Sequence, residues 1–142
     1  VHFTQHKGSR GLLEGDTGFP RMDSLTGRYQ EGTWYPCILP ATMMAWTIDC
    51  MFLFELWPRG PECVDVAICS FFPEDRTTRS DFEEQAAKYY ERLDVILPED
   101  NDAVELQQQG LHSPVNAAAR FTNMETLCHA FDNWILDLVL DT

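Results

Sequence analysis

Apolar and polar positions follow a strand-like pattern through the middle of the chain. Four segments rich in β-branched and aromatic residues are separated by turn signals at Pro40, at Asp49-Cys50 and at PRGPE. These segments read TWYPCIL, TMMAWTI, MFLFELW and VDVAICSFF. Their lengths and composition predict four consecutive strands, most simply an antiparallel meander. PRGPE predicts the turn before the last strand, because its prolines lack the N–H that a strand ladder needs.

The hydrophobic period changes to three and four residues after the strands. Ser80 and Glu83 have the spacing of a capping box, and the apolar residues that follow predict a helix of about four turns. A second helix is predicted to begin near Pro98, because a proline in the first helical turn loses no hydrogen bond. Gly110 is predicted to end it, because glycine is favoured just past a helix end.

A last helix is predicted to begin at Thr122 or Asn123, where Glu125 completes a second capping box. Strands and then helices in separate blocks predict the α+β class, with an antiparallel sheet covered on one side by helices. Residues 1–31 are rich in glycine, arginine and polar residues, which predicts a loop-rich lead-in. We expect one domain over residues 1–142.

Charge and composition argue against several classes of partner. The net charge is -13, with 23 acidic against 10 basic side chains, whereas a nucleic-acid site needs clustered lysine and arginine. The apolar runs are shorter than the ~18 residues of a membrane span, and the first residues lack the apolar core of a signal peptide. The cysteines number 5 and form no CxxC pair, which favours reduced thiols. We expect a cytoplasmic protein that binds neither nucleic acid nor a membrane.

Three acidic residues, Glu99, Asp100 and Asp102, cluster at the predicted start of the second helix. At a helix N-terminus the macrodipole would stabilise each of them, typically by about 0.3–1 kcal/mol. Metal binding is the alternative, although the segment lacks the glycine of a calcium loop. On the pattern alone the helix start is the favoured interpretation.

The 4 histidines do not by themselves define a metal site. His2 and His6 have the spacing that would place both on one helix face, but the residues around them are poor helix formers, and a solvated polar terminus is favoured. Cys128 and His129 are adjacent, so in a helix their side chains diverge by about 100° and cannot form a nucleophile and base pair. The sequence contains neither a glycine-rich phosphate loop nor a nucleophile-elbow motif.

Three long segments carry a family resemblance. They read LPATMMAWTIDCMFLFELWPRGPE, FEEQAAKYYERLDVILPEDNDAVELQQQGLHSP and ARFTNMETLCHAFDNWILDLVL. In this order they resemble the C-terminal half of the catalytic domain of the large (alpha) subunit of Rieske-type aromatic-ring-hydroxylating oxygenases. The resemblance implies a helix-grip (START-like) fold, in which an antiparallel sheet packs against a long C-terminal helix. This sequence would hold an incomplete part of that fold.

The same resemblance implies an iron site and a substrate site. Family members hold a mononuclear Fe(II) with two histidines and one carboxylate, and the carboxylate segment corresponds to Glu99-Asp100-Asn101, so Asp100 is the implied ligand. Such a facial triad leaves positions open for dioxygen and substrate. The substrate-pocket positions of the family correspond to Tyr35, Met43, Ala45, Tyr90 and Ile96. Core packing is the alternative role for each of these residues.

Other parts implied for the intact family protein are missing from this sequence. Neither the Cys-x-His and Cys-x-x-His pairs of a [2Fe-2S] Rieske cluster nor the H-x-x-x-x-H pair that ligates iron is present. The resemblance also implies a small hydrophobic or aromatic substrate, a reductase or ferredoxin as electron donor, and a homo-oligomer, which is a trimer in the intact protein. Two functions stay open: part of an oxygenase, or a non-catalytic helix-grip module that binds a hydrophobic ligand or partner. We expect this chain alone to be inactive.

Overall fold

The strands form one antiparallel sheet in the computed structural model, which describes residues 1–115 and 120–140. The strands are β1 (His2–Gln5), β2 (Gly32–Tyr35), β3 (Cys37–Ile38), β4 (Thr42–Trp46), β5 (Met51–Gly60) and β6 (Cys63–Phe71). Their order across the sheet is β1-β2-β4-β5-β6, with β3 paired to β4. All these pairs are antiparallel, so the predicted meander is confirmed and β1 is added to it from the lead-in.

Helices follow the sheet in the chain, and the fold is α+β as predicted. The helices are a 3-10 helix (Gly27–Gln30) before β2, α1 (Glu74–Thr77), α2 (Phe82–Leu111) and α3 (Thr126–Leu140). This set of elements is consistent with a helix-grip fold. In the described part of the chain no helix combines the length and the apolar character that crossing a bilayer requires.

Contacts along the backbone divide the chain into two compact units, residues 1–94 and residues 95–142. The first unit contains the sheet, α1 and the beginning of α2, and the second contains the rest of α2 and α3. The predicted single domain also includes residues 116–119, 141 and 142, which lie outside the described residues.

The strand boundaries differ from the prediction at two prolines. The first predicted strand is divided at Pro36 into β2 and β3, because proline has no N–H to continue the ladder. Strand β5 continues through Pro58 to Gly60, so the turn lies at Pro61 and Glu62 rather than at PRGPE as a whole. A register shift between Pro58 and Gly60 accommodates the missing donor, as β-bulges commonly do.

The prediction of two helices separated near Pro98 is wrong, because α2 is one helix of 30 residues with Pro98 in its interior. An interior proline removes one hydrogen bond and costs about 3 kcal/mol, but the bonds on either side hold the helix together. Glu99, Asp100 and Asp102 are consequently helix-interior residues. The macrodipole at a helix start acts only within the first turn and does not explain these acids.

Helix α3 begins at Thr126, a few residues later than predicted, but the predicted capping contact is present. The Thr122 N–H donates to the Glu125 carboxylate at 2.7 Å, and the Met124 N–H donates to the Thr122 hydroxyl at 3.3 Å. These two hydrogen bonds hold the turn that leads into α3. The backbone hydrogen bond to Thr122 also holds the pKa of Glu125 below its usual value.

The core of the first unit is built on aromatic rings. Phe19, from the lead-in loop, lies 5.3 Å from Phe72 and 5.6 Å from Tyr89 between ring centroids. Each such pair contributes about 0.5–1.5 kcal/mol beyond burial alone. Ala86 and Tyr89 of α2 are fully buried, three residues apart, and so form the inward stripe of that helix segment. The lead-in therefore contributes to the core, although it contains few regular elements.

Candidate functional site

Three of the predicted substrate residues lie on one face of the sheet. Met43 pairs with Phe54 and Ala45 pairs with Phe52, so Met43 and Ala45 share a face of β4 and β5. Tyr35 follows Trp34, which pairs with Trp46, and alternation along the strands places Tyr35 on the same face as Ala45. We call the side of the sheet that bears Tyr35, Met43, Ala45, Phe52 and Phe54 the Ala45 face.

The Ala45 face is apolar and partly open. Phe52 is buried, Tyr35 and Ala45 are partly buried, and the Met43 side chain is exposed to 42%. Aliphatic, thioether and aromatic groups of this kind can pack against an apolar ligand, and they offer few polar groups to orient it. The structure thus brings these three predicted residues together on one surface.

The two predicted substrate residues of α2 belong to different units. Tyr90 is in the first unit, is exposed to 43%, and its ring lies 6.5 Å from that of Phe72. Ile96 is in the second unit and is partly buried there. Tyr90 therefore has an aromatic neighbour within its own unit, while Ile96 is placed only within the second unit.

Asp100 is exposed in the interior of α2. Its carboxylate forms no hydrogen bond or ion pair with any residue in the described ranges. Aspartate is a poor residue for a helix interior. With the helix-start explanation removed, Asp100 has no local structural role that accounts for it.

The histidines take up other contacts. His6 follows strand β1, and its Nε2 lies 2.7 Å from the Thr33 hydroxyl. The His129 Nε2 lies 3.1 Å from the Asn133 side-chain amide, one helical turn away in α3. Among the residues that the structure describes, no group of three or more His, Cys, Asp or Glu side chains is arranged to hold a metal ion.

A buried hydrogen-bond cluster around Asp49 is the feature that sequence reasoning missed. Asp49 is only 1% exposed and accepts hydrogen bonds from the hydroxyls of Ser9 at 2.6 Å, Thr47 at 2.7 Å and Tyr89 at 2.7 Å. Tyr89 in turn accepts a hydrogen bond from the Phe19 N–H at 2.9 Å. The cluster joins the lead-in loop, the turn between β4 and β5, and helix α2.

Burial raises the pKa of two groups beside Asp49, the Tyr89 phenol and the Cys50 thiol. Burial, followed by the hydrogen bond to Asp49, raises the pKa of Tyr89. Burial and the nearby Asp49 carboxylate also raise the pKa of the Cys50 thiol. Both groups therefore stay neutral at physiological pH, which makes Cys50 a poor nucleophile. The turn residues Asp49 and Cys50 gave no sequence signal for this role, because Ser9 and Tyr89 each lie 40 positions away from Asp49.

Comparison with known sequences identifies the family. The sequence model described as "Ring hydroxylating alpha subunit (catalytic domain)" matches residues 1–141. Because the match covers nearly the whole chain, the chain belongs to the ring-hydroxylating oxygenase alpha-subunit family, as its resemblance predicted. At the level of the family, the function is oxygenase hydroxylation of aromatic rings. The curated proteins and the solved structures include no significant match to the chain.

Proposed function

We propose that this chain is the C-terminal part of the catalytic domain of a non-haem iron oxygenase that hydroxylates an aromatic or similar small organic substrate. The match of residues 1–141 to the family supports the class of reaction. Residues 1–142 would form a single domain in the intact protein. Electrons would come from a reductase or ferredoxin through a Rieske cluster carried elsewhere in a homo-oligomer, a trimer in the intact protein.

Asp100 is proposed as the carboxylate ligand of the mononuclear Fe(II). The observation that carries this proposal is an exposed carboxylate without a described partner in a helix interior where aspartate is disfavoured. The described residues do not assemble the complete ligand set, because no group of three suitable side chains is present among them. Asp100 would thus contribute one oxygen ligand of a site that the described residues do not complete.

Tyr35, Met43 and Ala45 are proposed to contact the ring of the substrate, with Tyr90 of the same unit. Ile96, in the second unit, is a substrate residue that the family resemblance alone implies. The Ala45 face supports this role for the first three, because it presents apolar groups of which Met43 is substantially exposed. Their contribution would be to bind the ring and to exclude water by apolar burial. Oxygen activation would depend on the bound iron.

Fe(II) binding under anaerobic conditions tests the role of Asp100. Equilibrium dialysis would compare the chain with Asp100→Asn and with the matched control Asp102→Asn, which removes a neighbouring charge. We expect Asp100→Asn to weaken Fe(II) binding about 10-fold or more, the effect of losing roughly 1.4 kcal/mol, and Asp102→Asn to change it less than about 2-fold. Measurable Fe(II) binding that Asp100→Asn leaves unchanged would count against Asp100 as a ligand.

The second candidate function is a non-catalytic helix-grip module that binds a hydrophobic ligand or partner. The observation that favours it is the exposed apolar surface at Met43 and Tyr90, in the absence of a complete metal-binding group within residues 1–115 and 120–140. Binding of aromatic ligands to the Ala45 face, together with Fe(II) binding that Asp100→Asn leaves unchanged, would support this function over the first.

A further inference from the structure

A buried tyrosine anchors the part of α2 that belongs to the first unit. The buried residues of α2 are Ala86, Tyr89 and Leu93. The Tyr89 hydroxyl donates to the Asp49 carboxylate at 2.7 Å and accepts the Phe19 N–H at 2.9 Å. Ala86 and Leu93 offer apolar contacts, which have no preferred direction, whereas a hydrogen bond requires alignment. The Tyr89 hydroxyl is therefore a directional link between α2 and the turn that joins β4 to β5.

The acceptor of this link, Asp49, is itself held from other directions. Its Oδ1 accepts the hydroxyl protons of Ser9 at 2.6 Å and of Thr47 at 2.7 Å, and its Oδ2 accepts the proton of Tyr89. A Cβ at Gly18 would collide with the Tyr89 hydroxyl, because the lead-in loop packs closely against that group. The carboxylate and the hydroxyl consequently have little room to move.

Tyr90 follows Tyr89 in α2, so the direction of its side chain depends on how the helix is rotated about its axis. Successive residues of an α-helix point about 100° apart. A tyrosine hydroxyl lies roughly 8 Å from the helix axis, so a rotation of about 20° would move the Tyr89 hydroxyl by about 3 Å, beyond hydrogen-bond reach. The hydrogen bond to Asp49 therefore fixes the direction of Tyr90 to within about 20°.

The direction fixed in this way places Tyr90 beside the Ala45 face. The Tyr90 ring lies 6.5 Å from the Phe72 ring between centroids. Phe72 directly follows β6, in which Ser70 pairs with Phe52 of the Ala45 face. Strand alternation, continued one residue past β6, puts Phe72 on the same side of the sheet as Ser70. The substrate role proposed for Tyr90 requires this location.

We propose that Asp49 is a positioning residue for the substrate surface: through Tyr89, it holds the rotation of α2 at which Tyr90 lies beside the Ala45 face. This inference rests on the proposed function, because it assumes that Tyr90 contacts the substrate. Asp49 is only 1% exposed and acts through Tyr89 and Tyr90 rather than by touching the substrate. Loss of the Asp49 acceptor weakens substrate binding without removing a group that contacts the substrate.

Binding of 4-fluorotoluene, followed by ¹⁹F NMR, tests the proposal in a double-mutant cycle. Asp49→Asn keeps the side-chain shape but replaces the oxygen that accepts the Tyr89 proton by a donor. We expect Asp49→Asn to weaken binding about 5-fold in the wild-type chain and less than about 1.5-fold in Tyr90→Ala. Tyr89→Phe, which removes the same hydrogen bond, should reproduce both results.

Ser9→Ala is the matched control, because it removes another hydroxyl from Asp49 without changing a residue of α2. We expect it to change the affinity less than about 1.5-fold. A 3-fluorotyrosine incorporated at position 90 alone reports on Tyr90 without a ligand. Asp49→Asn and Tyr89→Phe should change its ¹⁹F chemical shift, and Ser9→Ala should not. Circular dichroism checks folding, and if either Asp49→Asn or Tyr89→Phe does not fold, the other provides the test.

Three results would overturn the proposal: an affinity that folded Asp49→Asn leaves unchanged, a loss of affinity that is equally large in Tyr90→Ala, or an unchanged fluorine shift at position 90. Absence of binding to the wild-type chain, or unchanged binding by Tyr90→Ala, would instead remove the substrate role of Tyr90 and this inference with it. Fe(II) binding by Asp100 is measured separately, so the failure of each proposal can be recognised.

Discussion

Tyr89 and Tyr90 are neighbours in α2 with opposite surroundings, and this contrast gives a stability prediction at the scale of one residue. Tyr89 is fully buried and bonded to Asp49 and to the Phe19 N–H, while Tyr90 is 43% exposed. Tyr89→Phe removes one hydrogen-bond partner from the buried Phe19 N–H and one from the Asp49 carboxylate. We expect it to lower the free energy of unfolding by about 1–3 kcal/mol in urea denaturation.

Tyr90→Phe is the matched control for this measurement, because it removes the same hydroxyl from an exposed position. We expect it to change the free energy of unfolding by less than about 0.5 kcal/mol. Equal losses in the two variants would show that the Asp49 cluster does not stabilise the first unit.

The neutral thiol and phenol of the same cluster predict a loss of stability at alkaline pH. Their pKa values are raised in the folded state from ordinary values of 9.0 for Cys50 and 10.0 for Tyr89. As the pH rises, the unfolded chain therefore releases these protons before the folded chain does. The contribution of the two groups to the free energy of unfolding is complete below about pH 9 and decreases at higher pH. The slope is about 1.4 kcal/mol per pH unit for each group.

Urea denaturation between pH 8 and pH 11 measures this slope. Cys50→Ala should remove the part that begins near pH 9, and Tyr89→Phe the part that begins near pH 10, as set by the ordinary pKa values of 9.0 and 10.0. A stability that is flat across this range in the wild-type chain would contradict the prediction.

Helix α2 gives a prediction at the scale of an element, because Pro98 lies inside it and is exposed. Pro98 has no N–H to bond to the carbonyl of Asp94 one turn earlier. We expect Pro98→Ala to stabilise the chain by about 1–3 kcal/mol in thermal unfolding followed by circular dichroism. Ala103→Gly, at an exposed position of the same helix, should destabilise it by about 1 kcal/mol. A destabilising Pro98→Ala would indicate that the proline ring makes a contact the helix needs.

The pairing of β1 with β2 gives a second prediction for an element. A Cβ at Gly32 would collide with the backbone oxygen of Thr4, and backbone cannot yield as a flexible side chain does. Gly32→Ala should therefore release β1 and increase amide hydrogen exchange in His2–Gln5. Gly110→Ala, where a Cβ meets open space, is the control and should leave that exchange unchanged. Protection of β1 that persists in Gly32→Ala would show that the strand pair adapts.

The strands and helices were predictable to different degrees for physical reasons. Composition and the turn signals between segments identified the meander, because apolar side chains occupy both faces of β4 and β5. The prediction of a helix start at Pro98 failed, because the cooperativity of a 30-residue helix outweighed a local rule. The Asp49 cluster was unpredictable because two of its donors, Ser9 and Tyr89, are distant from Asp49 in the sequence. Family resemblance, rather than pattern, singled out Asp100.

At the scale of the whole molecule, charge and sheet edges act in opposite directions on self-association. The net charge of -13 favours separation, whereas no described strand covers the outer edge of β6. Salt shortens the screening length from about 10 Å at 0.1 M to about 3 Å at 1 M. We expect light scattering after size exclusion to show oligomers whose fraction increases with salt.

Val66→Lys supplies the matched variant for this experiment, because Val66 is exposed in β6 and lysine on an edge strand opposes pairing. It should reduce the oligomer fraction at high salt. A monodisperse monomer for the wild-type chain at both salt concentrations would contradict the prediction.

Strand β4 limits how this protein can change during evolution or in a mutagenesis library. Successive residues of β4, such as Ala45 and Trp46, lie on opposite faces of the sheet. Substitutions can alter one face and leave the other intact, so point mutations can diversify the two surfaces separately. Inserting one residue would exchange the faces of every position that follows it in β4, while inserting two would restore them. Lineages should therefore tolerate two-residue insertions in this strand more often than single ones.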